Sequence, residues 1–216
     1  MTPHVLIPVK RFSEAKTRLS AVLGHTERRH LAAALLHDTL ATLARVSMLE
    51  SVGVVTDDPQ AIEIAHIFGA EVHPDATRDL NPALEAARSR IFARGIERVA
   101  VLHADLPLLS ASDVVALICA RAPAIAPARD GIGTNAMVTS LRAPLAFHFG
   151  PHSKRAHQRA AQRHDLTLQT LDHLGLAHDL DSPQDIPAVL AQAANSRSAT
   201  LLRKALATRA QLPVAS

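Results

Sequence analysis

Strand-like and helix-like segments alternate along the chain, and that alternation predicts an α/β fold: a three-layer αβα sandwich built on a mostly parallel, mixed sheet. Two further observations support it. The strand candidates are near-continuous apolar runs, as in a sheet covered on both faces. The segments between them begin with capping residues, and the longest carries an apolar stripe at helical spacing. With 216 residues, 48% hydrophobic and 20% charged, the chain can bury one ordinary core.

The elements follow in order. His4 to Val9 is a β-branched apolar run and reads as the first strand. Thr26 can cap a long helix whose stripe is Leu31, Leu35, Leu36, Leu40 and Leu43. Ser51–Thr56 is a second strand, Asp57-Asp58-Pro59 opens a helix, and Glu71-Val72-His73 is a brief third strand. Pro82 to Arg94 is helical and stops at Gly95. Arg98–His103 is a buried-strand pattern, and Ser110 with Asp113 forms a capping box. Ala122–Ala128 and Asn135–Leu141 are further strands, and Ser153–His164 is helical with Ser153 able to cap it. Ser182-Pro183-Gln184-Asp185 starts another helix. From about Ala188 the chain is Ala-rich and basic. It is expected to form a terminal helix that packs loosely or meets a partner, with disorder at its last few residues. The domain is therefore expected to span 1–194, with a tail over 195–216.

Composition excludes several classes. Cys119 is the one cysteine, so a disulfide framework, CxxC redox chemistry and Cys-rich zinc sites are ruled out. No apolar run reaches the roughly 18 residues of a membrane span, and no signal-peptide pattern opens the chain, so no membrane association and a cytoplasmic protein are expected. Trp and Tyr are absent, so nucleic-acid binding by base stacking is not expected. The net charge of +3 is unevenly placed. Arg197, Arg203, Lys204 and Arg209 give the tail +4, leaving a body of 19 bases and 20 acids. Lysine occurs only four times, and two of the four are Lys10 and Lys16.

Ligands of such sheets bind beyond the carboxyl ends of the strands. Lys10, Arg11, Lys16 and Arg18 crowd the loop after the first strand, where a triphosphate would find cations, although a solvated charged turn has the same pattern. Neither GxxxxGK[ST] nor GxGxxG is present. Asp105 follows the Val99–His103 run, and Asp179 and Asp181 form a second acidic pair. These are candidate magnesium ligands, or else turn and capping acids. Asp130-Gly131-Ile132-Gly133-Thr134 suits an anion-binding loop or a hairpin turn. The thirteen histidines show no metal-binding spacing.

Taken together these segments resemble the guanylyltransferases of coenzyme F420 biosynthesis. The resemblance rests on Ile7-Pro8-Val9-Lys10 with Ala15-Lys16-Thr17-Arg18-Leu19, Leu80-Asn81 with Ala83, and Ala104-Asp105-Leu106-Pro107. It continues with Gly133-Thr134-Asn135-Ala136, Phe149-Gly150-Pro151 with Ser153 and His157, and Asp179-Leu180-Asp181-Ser182-Pro183. Six motifs in order cover roughly residues 4–190. The resemblance implies a GT-A-like nucleotidyltransferase fold and transfer of GMP from GTP to a three-carbon phospho-acid: 2-phospho-L-lactate, phosphoenolpyruvate or 3-phospho-D-glycerate.

By the same resemblance, Lys10, Lys16 and Arg18 would hold the GTP phosphates, with Lys10, Lys16, Arg18 and Asp105 forming the catalytic set. Asp105 with Asp179 and Asp181 would bind magnesium. Leu80 and Asn81 would lie by the nucleotide, and Thr134, Gly150 and Ser153 would hold the phospho-acid. His148 is a candidate contact to an acceptor hydroxyl. The family carries glycine where this chain has Asp79. A phosphate oxygen of the acceptor would attack the α-phosphorus and release pyrophosphate, and being ionised it needs no strong base. The reactive product suggests handover to a following enzyme, and a homodimer is possible. Other readings are a non-catalytic nucleotide-binding module, a molybdopterin guanylyltransferase and a glycosyltransferase of related fold.

Overall fold

The structure, a computed structural model, describes residues 3–77, 79–193 and 195–210. The expected disorder of the last few residues falls outside them. A seven-stranded sheet has the order β3-β2-β1-β4-β6-β5-β7. Its parallel core is β1 (His4–Pro8), β2 (Ser51–Thr56), β3 (Glu71–Pro74) and β4 (Arg98–Leu102). β6 (Thr134–Ser140) runs antiparallel to both β4 and β5 (Ala124–Pro127), and the short β7 (Gln169–Thr170) lies parallel to β5. The parallel part of the sheet follows from the alternation of strands and helices, and the sheet as a whole is the expected mixed, mostly parallel one. The reversal at β6 comes from the short 128–133 connection. There Asp130 Oδ1 accepts from the amides of Ile132 (2.7 Å) and Gly133 (3.0 Å), so the Asp-Gly segment acts as a hairpin turn.

Helices cover both faces. α1 (His25–Leu43), α2 (Pro59–Ile67) and α4 (Ala111–Cys119) bury Leu36, Leu40, Ala61, Ala65, Val114 and Leu117 against Val5, Ile7 and Val54. On the other face, α3 (Leu80–Ala93) and α5 (Ser153–Arg163) bury Leu84, Ala87, Ile91, Ala160 and Ala161 against Leu6, Val55, Val99 and Val101. Alternation along β1 sends Val5 and Ile7 to one layer and Leu6 to the other. Among the described residues no helix is long and apolar enough to cross a membrane.

Local details differ from the sequence reading. Gly24, not Thr26, stands at the N-cap of α1, where its amide donates to Glu27 Oε2 at 2.6 Å. α3 starts at Leu80, so Pro82 falls inside its first turn, where a missing N–H costs little. Asp79 is extended there (φ −118°, ψ 122°), a conformation that asks for no glycine. The N-cap of α5 is His152 (φ 57°), and Ser153 is the first helical residue. Residues 179–181 are not a strand. They follow the single turn α6 (Leu174–Ala177) and lead through a 3₁₀ turn at Pro183–Asp185 into α7 (Ile186–Gln192).

The loose tail is also corrected. α8 (Arg197–Ala210) packs on α1 and α7, burying Ser198, Ala199, Leu202 and Ala205 in a third cluster with Leu19, Leu31, Leu35, Ile186 and Val189. Asp38 of α1 accepts from the amides of Arg197 (3.1 Å) and Ser198 (2.9 Å) and from the Ser198 hydroxyl (2.7 Å), so it caps α8 from a distant element.

Candidate active site

A cavity of about 330 Å³ opens beyond the carboxyl ends of β1, β2 and β4, lined among others by Lys10, Lys16, Leu80, His103, Asp105 and Asp181. Its floor is the loop after β1. Asp58 fixes that loop: its Oδ2 accepts from the Phe12 amide (2.8 Å), while its Oδ1 accepts from Gln60 (2.9 Å) and Ala61 (3.0 Å) at the start of α2. Phe12 is buried, and Arg11 pairs with Asp57 at 2.9 Å. The loop then turns sharply at Lys16, whose φ of 55° is left-handed.

That turn carries the Lys16 ammonium inward. Its Nζ lies 2.7 Å from Asp105 Oδ2 and 2.8 Å from Asp181 Oδ1, with the side chain 8% exposed. Burial opposes the charge on Lys16, but the two carboxylates outweigh it and raise its pKa. Burial likewise works against ionised Asp105, and Lys16, followed by His103, overcomes it and holds the carboxyl below its usual range. Arg18 is exposed, 3.9 Å from Asp181 Oδ2, and Lys10 is exposed at the cavity rim.

Three elements pin Asp105. Thr39 of α1 donates to the Ala104 carbonyl (3.1 Å), the Leu180 amide donates to the Asp105 carbonyl (3.0 Å), and the His103 amide donates to Asn135 O (3.0 Å). Leu180 is fully buried between Asp179 and Asp181, which leaves both acids beside Asp105. Asn135 Nδ2 donates to the carbonyls of Leu176 and Ala177 (both 3.1 Å) and lies 3.4 Å from Asp179 Oδ1. Asp179 has a raised pKa: burial comes first, then the charge of Asp105, with a lesser push from Asp181. Asp105 Oδ1 is buried without a hydrogen-bond partner. An orphaned carboxylate oxygen next to a second, electrostatically disfavoured carboxylate is a donor set that fits a hard divalent cation.

A second wall is built from β6, α3 and the segment before α5. Asn81 Nδ2 donates to Phe149 O (2.9 Å), and Asn81 Oδ1 accepts from the Phe149 amide (2.8 Å). Both ends of the Asn81 amide are thereby engaged on the Phe149 backbone. Leu80 does line the cavity. Gly150, at φ +129°, takes a conformation that side chains rarely adopt. His157 is fully buried; its Nε2 accepts from the His148 amide (3.0 Å), and its Nδ1 lies 3.3 Å from Thr134 Oγ1. Burial, then the His148 charge, lowers the His157 pKa to about 4, so it is neutral with its proton on Nδ1. Thr134 and Ser153 are both buried, and the Lys154 amide ties the start of α5 to Ile132 O at 3.1 Å. His148 stands beside this group, its ring centroid 5.9 Å from that of His157.

Sequence reasoning missed His103, Asp58 and Asn135. His103 lines the cavity with a buried, unpartnered Nε2, and its one sequence signal is its place at the carboxyl end of β4. Asp58 reads in sequence as a helix cap only, and its second bond reaches a residue 46 positions away.

The largely parallel sheet, with its lysine loop and paired acids at the carboxyl ends of the strands, has the fold of the nucleotide-diphospho-sugar transferases. A crystal structure described as a nucleotide-diphospho-sugar transferase from Desulfovibrio desulfuricans G20 superposes with a TM-score of 0.80 at 20% identity, covering 98% of each chain. A 4-diphosphocytidyl-2C-methyl-D-erythritol synthase superposes at 0.61 with 15% identity, covering 87% of this chain and 96% of its own. Residues 3–210 match the family described as guanylyl transferase CofC like, and the chain belongs to that family of nucleotidyltransferase enzymes. A phosphoenolpyruvate guanylyltransferase from Sphaerobacter thermophilus is 37% identical over 191 residues, 86% of this chain and 91% of its own length. A 2-phospho-L-lactate guanylyltransferase from Methanothermobacter thermautotrophicus is 32% identical over 207 residues, 94% and 91% of the two chains. The match takes in α8, beyond the 4–190 span of the motifs.

Proposed function

We propose that the chain transfers GMP from GTP to a three-carbon phospho-acid with release of pyrophosphate, as a step of coenzyme F420 biosynthesis. The observation that carries the reading is Lys16, held buried between Asp105 and Asp181 at the cavity that Lys10 and Leu80 also line. Phosphoenolpyruvate is the preferred acceptor in this reading, supported by the greater identity to the relative bearing that name.

Lys10, Lys16 and Arg18 bind the triphosphate oxygens and orient the α-phosphorus toward the second wall. Thr134, Gly150 and Ser153 place the acceptor there, with its phosphate toward the start of α5, where the positive end of the helix dipole favours an anion. His148 faces the acceptor from beside Phe149. The attacking phosphate oxygen is already ionised at neutral pH, so positioning and charge neutralisation are the chain's contribution. Magnesium, held by Asp105 and Asp179, would supply neutralisation of the triphosphate and the leaving pyrophosphate. Asp181 keeps Lys16 in place.

The test is a competition assay. The enzyme receives GTP, magnesium and equal concentrations of phosphoenolpyruvate, 2-phospho-L-lactate and 3-phospho-D-glycerate, with products resolved by mass spectrometry. A guanylylated phosphoenolpyruvate in excess is expected. Absence of pyrophosphate release with all three acids would overturn the reading.

A further inference from the structure

A second cluster of ligating side chains lies away from the cavity, over the α3 face of the sheet. His4 is the first residue of β1, and Glu71 and His73 are the first and third residues of β3. One ligand atom from each of the three lies within 4.8 Å of the others. β2 runs between those strands and carries Gly53 beneath the two rings. A Cβ at Gly53 would stand 2.7 Å from His73 Nε2 and 2.9 Å from His4 Nε2, so the missing side chain is what lets both imidazoles turn over the strand.

Both rings are buried, His4 at 0% and His73 at 5% exposure, and the Nε2 atom of each has no hydrogen-bond partner. Two such orphans in one pocket are a cost that folded proteins rarely leave uncompensated. His4 Nδ1 bonds to Ser51 Oγ, which can accept from an Nδ1–H and leave the Nε2 lone pair facing His73. Burial, ahead of other causes, lowers the pKa of His4 to about 4 and also lowers that of His73, so both rings are uncharged at neutral pH and each keeps one nitrogen lone pair. Glu71 is held ionised by Arg94, and a carboxylate has a second oxygen to offer. Its side chain is 33% exposed and gives a route in from solvent.

We propose that His4, Glu71 and His73 form a binding site for a divalent transition metal, zinc being the type case, distinct from the acid–lysine site. Two imidazoles and one carboxylate are a borderline donor set, suited to zinc, cobalt or nickel and unsuited to magnesium. Ligand atoms about 2.0–2.1 Å from a tetrahedral zinc stand about 3.3 Å apart, so side-chain rotation has to close the cluster by at most about 1.5 Å. The metal would tie β1 to β3 across β2.

The test uses the full chain, freed of metal by chelation and titrated with zinc chloride alone. One zinc per chain and a raised Tm are expected. His73→Gln should weaken this binding by more than roughly 100-fold, beyond the cost of changes to outer-shell partners, and should abolish the shift. Cobalt should give visible d–d bands in the wild type and none in the variant. Glu71→Gln, at a part-exposed position, repeats the comparison if His73→Gln does not fold. Equal zinc binding by wild type and both variants, absence of cobalt bands, or an equal Tm shift with magnesium would overturn the proposal. So would a zinc effect abolished by Asp179→Asn and kept in His73→Gln, which would place the metal on the acid–lysine site.

Discussion

The Lys16 ammonium lies 2.7 Å from Asp105, an ion pair that joins the loop after β1 to the end of β4. Each partner stabilises the charged form of the other against burial. Asp105→Asn should therefore lower kcat/KM by about 100-fold or more, the scale of losing a preorganised electrostatic group. Its far-UV circular dichroism should match the wild type. A near-wild-type rate would remove Asp105 from the catalytic set. Asp179→Asn should raise the magnesium concentration needed for half-maximal rate, whereas Asp181→Asn should raise KM for GTP by freeing Lys16.

Asn81 and Phe149 exchange two hydrogen bonds. Asn81→Ala should leave the Phe149 amide without its partner and cost about 1–3 kcal/mol of stability. It should also raise KM for the phospho-acid more than KM for GTP, because Gly150 and the start of α5 follow Phe149. Steady-state kinetics with each substrate varied separately checks this.

His157 sets a pH dependence. Its folded pKa is about 4 against 6.5 for the free side chain. Between those values the unfolded chain takes up a proton that the folded chain refuses, so stability falls as pH drops from 6.5 toward 4. The integrated loss is about 3 kcal/mol for this residue. His4, also lowered to about 4, acts in the same direction. Denaturant unfolding at pH 7 and pH 5 should show the loss, and His157→Gln should flatten part of it.

Removal of residues 195–216 deletes Leu202 and Ala199 from a shared core. The truncated chain should lose about 3 kcal/mol or more. Asp38→Ala, which removes only the cap of α8, should cost about 1 kcal/mol. Thermal unfolding of the two proteins checks both values, and an unchanged Tm on truncation would show that α8 contributes nothing to the fold.

The sheet, its carboxyl-end site and the motif order were legible in the sequence because apolar runs and capping residues are local signals. What escaped was set by distant partners. Nothing near Asp38 in sequence says that it caps α8, and nothing near Asn81 says that its amide meets Phe149. β7 is two exposed residues with no apolar pattern, and α6 is a single turn. α8 hides its buried stripe in small residues, Ser198, Ala199 and Ala205, which read as an ordinary alanine-rich tail. The Asp179–Asp181 segment belongs to no strand, and a buried Leu180 with one backbone bond to Asp105 places its acids.

Asp58 binds the Phe12 amide with one oxygen and the first turn of α2 with the other. The lysine loop is thereby moored to a helix end rather than to another loop. When that carboxylate swings away from α2 it releases Phe12 as well, so fraying of the helix end and opening of the loop share one step. Amide exchange at Phe12 and at Ala61 should consequently run in step, two probes reporting a single opening event.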